Sequence, residues 1–200
     1  MKRILGIVLV LCVLMTLPMC AYAAITGDEV LTFDTPFMIT NAGQGPGGKM
    51  GRLLATRAGT LVEEQDFFYV DVPYAADVTA REYSAIVIVI GSTDKGLGAT
   101  GITIDEEIAR VNEVMAAAKE AEVPVIAVML EKDKRSEVST NANERCIDAV
   151  CPGAAWMVVI NDVNTDGRYD AFKTANGTPL TLLDNSMDFI QLVKQAFAKE

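Results

Sequence analysis

The sequence contains no histidine, one tryptophan and only four cysteines among its 200 residues. Without histidine the chain cannot build a Ser-His-Asp triad, a Cys-His pair, or a zinc or iron site with histidine ligands. Basic residues are also scarce, since 17 lysines and arginines stand against 27 acidic residues and give a formal net charge of −10. So acidic a protein repels nucleic acid and anionic lipid, and we expect neither as a partner.

The first 23 residues have the three parts of a secretory signal peptide. Residues 2–3 are basic, residues 4–17 form an uncharged apolar run, and residues 21–23 (AYA) match the small-x-small cleavage site. The apolar run is shorter than the about 20 residues that span a bilayer, which disfavours a membrane anchor. Lipidation at Cys20 is disfavoured because Met19 precedes it where a small residue is required. We therefore expect a periplasmic or secreted protein that is free of the membrane after cleavage.

After a lead-in at residues 24–35, the sequence indicates a single domain over residues 36–200. Its clearest strand is the uncharged run SAIVIVI at residues 84–90, and its clearest helix covers residues 103–121, where Glu106 and Arg110 are spaced to pair. The other predicted strands are 37–40, 67–72, 123–130, 155–160 and 179–183, and the other predicted helices are 49–57, 143–150 and one after Ser186. Alternation of buried strands with helices predicts an α/β fold. We expect a doubly wound three-layer domain with a mostly parallel sheet of five or six strands in flavodoxin-like order.

In such sheets the ligand binds in the crevice at the carboxyl ends of the strands, here followed by the loops 41–49, 91–103, 131–141 and 161–170. The first loop matches both the dinucleotide pattern G-x-G-x-x-G and the phosphate-loop pattern G-x-x-x-x-G-K. The two patterns require different structures, the phosphate loop lacks its hydroxyl residue, and nucleotides are scarce outside the cytoplasm. We therefore discount both nucleotide interpretations, leaving an anion held by backbone N–H groups near Lys49.

The second loop, residues 91–103, contains another G-x-G-x-x-G pattern and is longer than the usual connection between a strand and a helix. Long loops at this edge often bind ligands, so this segment is the first choice for ligand contact. The alternative is that the glycines of both loops only turn the chain. The candidate ligand-binding residues of the two loops are Asn41, Gly43, Gln44, Lys49, Ser92, Thr93, Lys95, Gly96 and Gly98.

The loop at residues 161–170 resembles the first half of a calcium-binding loop, D-x-N-x-D-G. The bidentate glutamate of such loops is replaced by Lys173, so the sequence predicts at most a weak Ca²⁺ site and no other cofactor. The alternative is an exposed loop held by Asx turns. The candidate metal-binding residues are Asp162, Asn164, Asp166, Arg168 and Asp170.

Two cysteines, Cys146 and Cys151, remain after signal cleavage. An exported protein permits a disulfide between them, provided that the predicted helix ends before Cys151. The following Pro152-Gly153 favours such an ending. Two buried thiols are the alternative, and the sequence leaves the choice open.

Residues 35–44 (TPFMITNAGQ) and 95–102 (KGLGATGI) resemble a family of exported bacterial α/β domains of unknown function. Residues 164–167 (NTDG) and 179–181 (PLT) fit the same pattern, so the resemblance covers most of the mature chain. It implies the fold and the export but no activity, ligand or functional residue. The cysteine pair is not part of the resemblance.

Together these features predict an extracytoplasmic domain that binds a small molecule or an ion at the carboxyl edge of its sheet. One alternative is a carboxylate-dependent enzyme of the hydrolase type, which two facing buried acids would favour. The other is an interaction or assembly subunit, which a large apolar patch would favour. Because no catalytic constellation is recognisable, binding is the expected function, and the oligomeric state stays open.

Overall fold

The computed structural model of the chain describes residues 25–198, and the signal peptide predicted for residues 1–23 lies outside them. The described residues form a seven-stranded sheet in the order β1-β7-β6-β5-β4-β2-β3. Strands β2 to β7 are parallel, and β1 pairs antiparallel with β7. The strands are β1 Ile25–Gly27, β2 Phe37–Ala42, β3 Phe67–Tyr69, β4 Ile86–Ile90, β5 Val125–Met129, β6 Trp156–Ile160 and β7 Leu180–Leu183.

Helices cover both faces of the sheet. On one face α1 packs against α7, and on the other face α4 packs against α2 and α5. Among residues 25–198 no helix is both long enough and apolar enough to cross a membrane. The helices are α1 Gly47–Ala58, α2 Ala75–Val78, α3 Asp94–Thr100, α4 Ile104–Glu120, α5 Ala142–Val150, α6 Arg168–Asn176 and α7 Phe189–Ala196.

The core lies between the sheet and these two helical layers. Every residue of β2, β4, β5 and β6 is buried, as the uncharged runs in the sequence predict for strands covered on both faces. Burying each of their Val and Ile side chains contributes about 1.5–3 kcal/mol. Phe197, just after α7, stacks on Phe37 with ring centroids 3.6 Å apart and so fixes the chain's last helix to the first parallel strand.

The sheet is larger than predicted. All six predicted strands are present, and β3-β2-β4-β5-β6 follow the flavodoxin-like order, but β7 and β1 extend the sheet beyond it, so the predicted order is only partly right. The additional strand is β1, which lies in the segment predicted to be a lead-in. Its residue Ile25 pairs with Leu183 of β7. A three-residue strand containing a threonine and a glycine has no periodicity that would distinguish it from a loop.

The segment 91–103 is not the long loop that its glycines suggested. Residues Asp94–Thr100 form helix α3, whose first turn is capped by Thr93, with Oγ1 accepting a hydrogen bond from the Gly96 N–H at 2.9 Å. The helix ends at Gly101, which adopts the left-handed conformation at φ +72°. The connection between β4 and α4 is therefore an ordered helix that forms one wall of the carboxyl edge.

Candidate functional site

The first two loops of the carboxyl edge are packed directly against each other. Gln44 and Ser92 form an isolated antiparallel bridge between them. A Cβ on Gly43 would lie 2.5 Å from the Cβ of Ser92, and a Cβ on Gly45 would lie 2.1 Å from the Gly91 carbonyl oxygen. Because side chains would clash at both positions, these glycines allow the close contact between the two loops.

The second glycine pattern has a similar explanation. A Cβ on Gly96 would lie 2.3 Å from the Gln44 carbonyl oxygen, whereas a Cβ on Gly98 would meet nothing within 4 Å. Gly101 supplies the left-handed end of α3. The three glycines thus have different local environments, and the pattern G-x-G-x-x-G does not mark a shared phosphate-binding surface.

A buried ion pair holds the first loop from the side of α4. The carboxylate of Glu107 accepts hydrogen bonds from the Gly43 N–H at 2.7 Å, from Gln44 Nε2 at 2.9 Å and from Arg110 Nη2 at 2.6 Å. Arg110 also donates to the Pro73 carbonyl oxygen at 2.8 Å. Burial raises the pKa of Glu107, but the hydrogen bonds from Arg110 and Gln44 outweigh it and hold the pKa below its usual value. The predicted partner of Arg110 was Glu106, which instead caps the start of α4.

A second buried carboxylate joins the third and fourth loops. Glu144, in the first turn of α5, accepts hydrogen bonds from Arg135 Nε at 2.9 Å, from Arg168 Nη1 at 2.5 Å and from the Ser136 N–H at 2.9 Å. Arg135 also binds Asp166 through Nη2 at 2.7 Å. Two residues of the predicted calcium set, Asp166 and Arg168, are therefore part of this ionic network.

The other residues of the predicted calcium set bind protein groups as well. Asp162 pairs with Lys132 at 3.2 Å. Asn164 donates to Asp170 from Nδ2 at 2.7 Å and accepts from the Tyr169 N–H through Oδ1 at 3.0 Å. Asp166 Oδ1 accepts from the Arg168 N–H at 3.2 Å, which is the spacing of the Asx turns that the alternative interpretation described. Residues 25–198 contain no group of three or more cysteine, aspartate and glutamate side chains that could hold a metal ion.

Cys146 and Cys151 are both buried free thiols. The α-helix ends at Val150, but Cys151 keeps helical backbone angles as it enters a 3-10 turn, Cys151–Gly153. The α-helix thus ends before Cys151, as the sequence required for a bridge, but the two cysteines are unbonded, as in the alternative of two buried thiols. Burial raises the pKa of each thiol to about 12, so neither is a thiolate nucleophile.

The start of α1, where the sequence allowed an anion near Lys49, is occupied by the chain's own charges. Lys49 is exposed and pairs with Asp71 at 3.2 Å, and the buried Asn41 donates to the Asp71 carbonyl oxygen at 2.8 Å. The Glu131 carboxylate lies beside the first residue of α1, with Oε2 3.5 Å from where a Cβ on Gly47 would be. A negative charge is already present at this helix end, which disfavours an anionic ligand there.

A cleft of about 540 Å³ opens at the same edge, between α3 and residues 136–142. Its position lies beyond the carboxyl ends of β4 and β5. Of the predicted ligand-binding residues, Gly98 lines this cleft, and the remainder hold neighbouring loops or face solvent. Most of the lining belongs to the segments 91–103 and 131–141, which were predicted at this edge, although these particular side chains were not singled out. The lining combines apolar and polar side chains, chiefly Leu97, Ile102, Ile104, Val138, Asp94 and Asn141.

Comparison with known proteins gives one match. No curated protein and no solved structure matches the chain. Residues 34–197 match the family described as a domain of unknown function, DUF6305. The matched range contains all six parallel strands, all seven helices and the cleft, and it leaves out β1. The resemblance to a family of unknown function is thereby confirmed, and the chain belongs to the DUF6305 family.

Proposed function

We propose that this protein is an extracytoplasmic domain that binds a small molecule in the cleft between α3 and residues 136–142. The observation that carries the proposal is the position of this cleft outside the carboxyl ends of the parallel strands, where ligands of open α/β sheets bind. Its volume of about 540 Å³ lies within the range of small-molecule sites. Its lining exposes more polar than apolar surface, so it provides several hydrogen-bonding groups together with a smaller apolar contact area.

Two other places compete for the ligand and are less suitable. The crevice between β2 and β4, where the strand order reverses, is filled by the contact between residues 43–45 and residues 91–92. A larger groove of about 680 Å³ lies at the opposite, amino edge of the sheet, among residues 34–35, 78–84 and 121–123. The carboxyl edge is favoured because open α/β sheets bind their ligands outside the carboxyl ends of the strands, whereas the larger groove lies at the amino ends.

The buried acids favour binding over hydrolysis. Glu107 and Glu144 are fully buried, and each is neutralised by arginine, so neither is free to exchange a proton with a substrate. The cleft itself is lined by a single acid, Asp94. General acid–base hydrolysis by a carboxylate pair therefore has no support from the lining of this cleft.

The proposal of export depends on the basic residues 2–3, the apolar run at 4–17 and the cleavage motif at 21–23. An extracytoplasmic location would place the cleft in contact with solutes of the periplasm or the medium. A binding domain of this kind requires no nucleotide or metal cofactor.

Ligand-observed NMR with a library of small neutral, cationic and anionic compounds tests the proposal. The variant Gly98→Leu should abolish binding, because a side chain at this position grows into the open space of the cleft. Ala99→Leu is the matched control, since Ala99 is an exposed neighbour on α3 that does not line the cleft. Binding that persists in Gly98→Leu, or no binding by any compound, would overturn the proposed function.

A further inference from the structure

We infer that the ligand of this cleft is a small organic cation with an apolar body, such as an alkyl or aryl ammonium compound. This inference rests on the proposed function and names its ligand class. The first observation is the charge of the lining: among the described residues that line the cleft, Asp94 is the one charged residue. In the described part of the chain Asp94 forms no salt bridge, unlike the acids of the neighbouring loops.

The helix ends around the cleft do not offer an anion site. Three helices, α3, α4 and α5, begin at its rim, and free N–H groups at such ends would attract an anion. Here each helix start has a capping side chain that accepts a hydrogen bond from a first-turn N–H group, so fewer N–H groups are left for an anion. The capping residues are Thr93, Thr103 and Asn141, and the first turns of α4 and α5 also contain the acids Glu106 and Glu144.

The arginines close in sequence to the lining residues 136–142 are also paired. Arg145 pairs with Asp105 at 2.6 Å, and Arg135 pairs with Glu144 at 2.9 Å. Lys95, next to Asp94 in sequence, is exposed and does not line the cleft. An anionic ligand would therefore meet the Asp94 carboxylate without a basic side chain in the lining, whereas a cation would pair with it.

The apolar part of the lining defines the rest of the ligand. Leu97, Ile102 and Ile104 form one side of the cleft, and Val138 faces them with 60% of its surface exposed. A hydrocarbon group bound between these side chains would remove apolar surface from water on both partners. A charged head paired with Asp94 and a hydrocarbon body against these residues together describe an amphipathic ammonium compound.

Three probes of equal length, n-hexylammonium, 1-hexanol and n-hexanoate, separate this inference from the proposed function. Affinities are measured by NMR titration at low ionic strength. We expect n-hexylammonium to bind about fivefold more tightly than 1-hexanol, and n-hexanoate to bind most weakly. Asp94→Asn should remove the preference for the cation, whereas Glu113→Gln, which deletes an exposed carboxylate on α4, should leave it intact.

The outcomes are distinct. If n-hexylammonium and 1-hexanol bind equally well and Gly98→Leu abolishes both, the cleft binds ligands but the cationic class is wrong. Tightest binding of n-hexanoate, or a preference for the cation that survives Asp94→Asn, also overturns the inference. If none of the three probes binds, the inference is overturned, whereas the proposed function is overturned only if no compound of the library binds either.

Discussion

Helix α3 allows a matched pair of substitutions that tests how the carboxyl edge is built. Gly96 and Gly98 are two residues apart in the same short helix, and both are replaced by alanine. In each case alanine should favour the helix by about 1 kcal/mol relative to glycine. The two positions differ in what the added methyl group meets, since the Gly98 site is open and the Gly96 site faces the Gln44 backbone.

At Gly98 no atom lies within 4 Å of the new Cβ, so the full gain of about 1 kcal/mol in the free energy of unfolding is expected. At Gly96 the Cβ would lie 2.3 Å from the Gln44 carbonyl oxygen, a backbone atom that cannot rotate away. Forcing such a contact apart costs about 1–3 kcal/mol, which cancels or exceeds the helical gain. Gly96→Ala should therefore be less stable than Gly98→Ala by about 1–3 kcal/mol.

Urea unfolding measures this difference, with the slope m expected to be unchanged in both variants. In a thermal scan each kcal/mol corresponds to about 2–4 °C in Tm for a domain of this size. If Gly96→Ala proved as stable as Gly98→Ala, the first two loops would not be in contact. The explanation of the glycine patterns as close backbone packing would then be refuted.

Three further predictions concern the buried ion pair of Arg110 and Glu107, the partly buried Glu131 and the predicted signal peptide. Arg110→Met should destabilise the protein by about 3–5 kcal/mol in urea, because Glu107 is left buried without its cation, and the added change Glu107→Gln should recover part of the loss. Burial raises the pKa of Glu131, so the native state holds this proton more tightly than the unfolded state, and stability is lost as the pH rises and the carboxyl ionises. Glu131→Gln should therefore be more stable than the wild type at neutral pH, and the gap measured by urea unfolding should close at about pH 4. N-terminal sequencing of the exported protein should begin at Ala24. If residues 1–23 were still present, the predicted signal peptide would be contradicted.

The parallel core was predictable because its signals are local. The run at residues 84–90 contains only β-branched and small residues, and its burial in β4 follows from that composition. Thr103 and Glu106 have the spacing of a capping box in the sequence, and the structure contains this box at the start of α4. Strand β1 was not predictable in this way, since its pairing with β7 joins segments at opposite ends of the domain.

The site was less predictable because its contacts connect distant segments. The sequence identified the glycines of both loops, but their role depends on the approach of Gly45 to Gly91 and of Gly96 to Gln44, which no local pattern contains. The partner of Glu107 in the first loop is 64 residues earlier in the chain. The available signal for the buried ion pair was the spacing of Glu107 and Arg110, three residues apart in an amphipathic helix. This spacing is also common on solvated helix surfaces, so it does not indicate burial.

We expect the ligand to bind between α3 and residues 136–142. The most direct test is a map of backbone amide shifts in the ¹⁵N-labelled protein on titration with n-hexylammonium. We predict that the largest shifts occur at Gly98, Thr140 and Ala142, and that Gly98→Leu abolishes them. Shifts concentrated instead at Lys49 and the first turn of α1, or at residues 78–84 on the amino edge, would contradict the account.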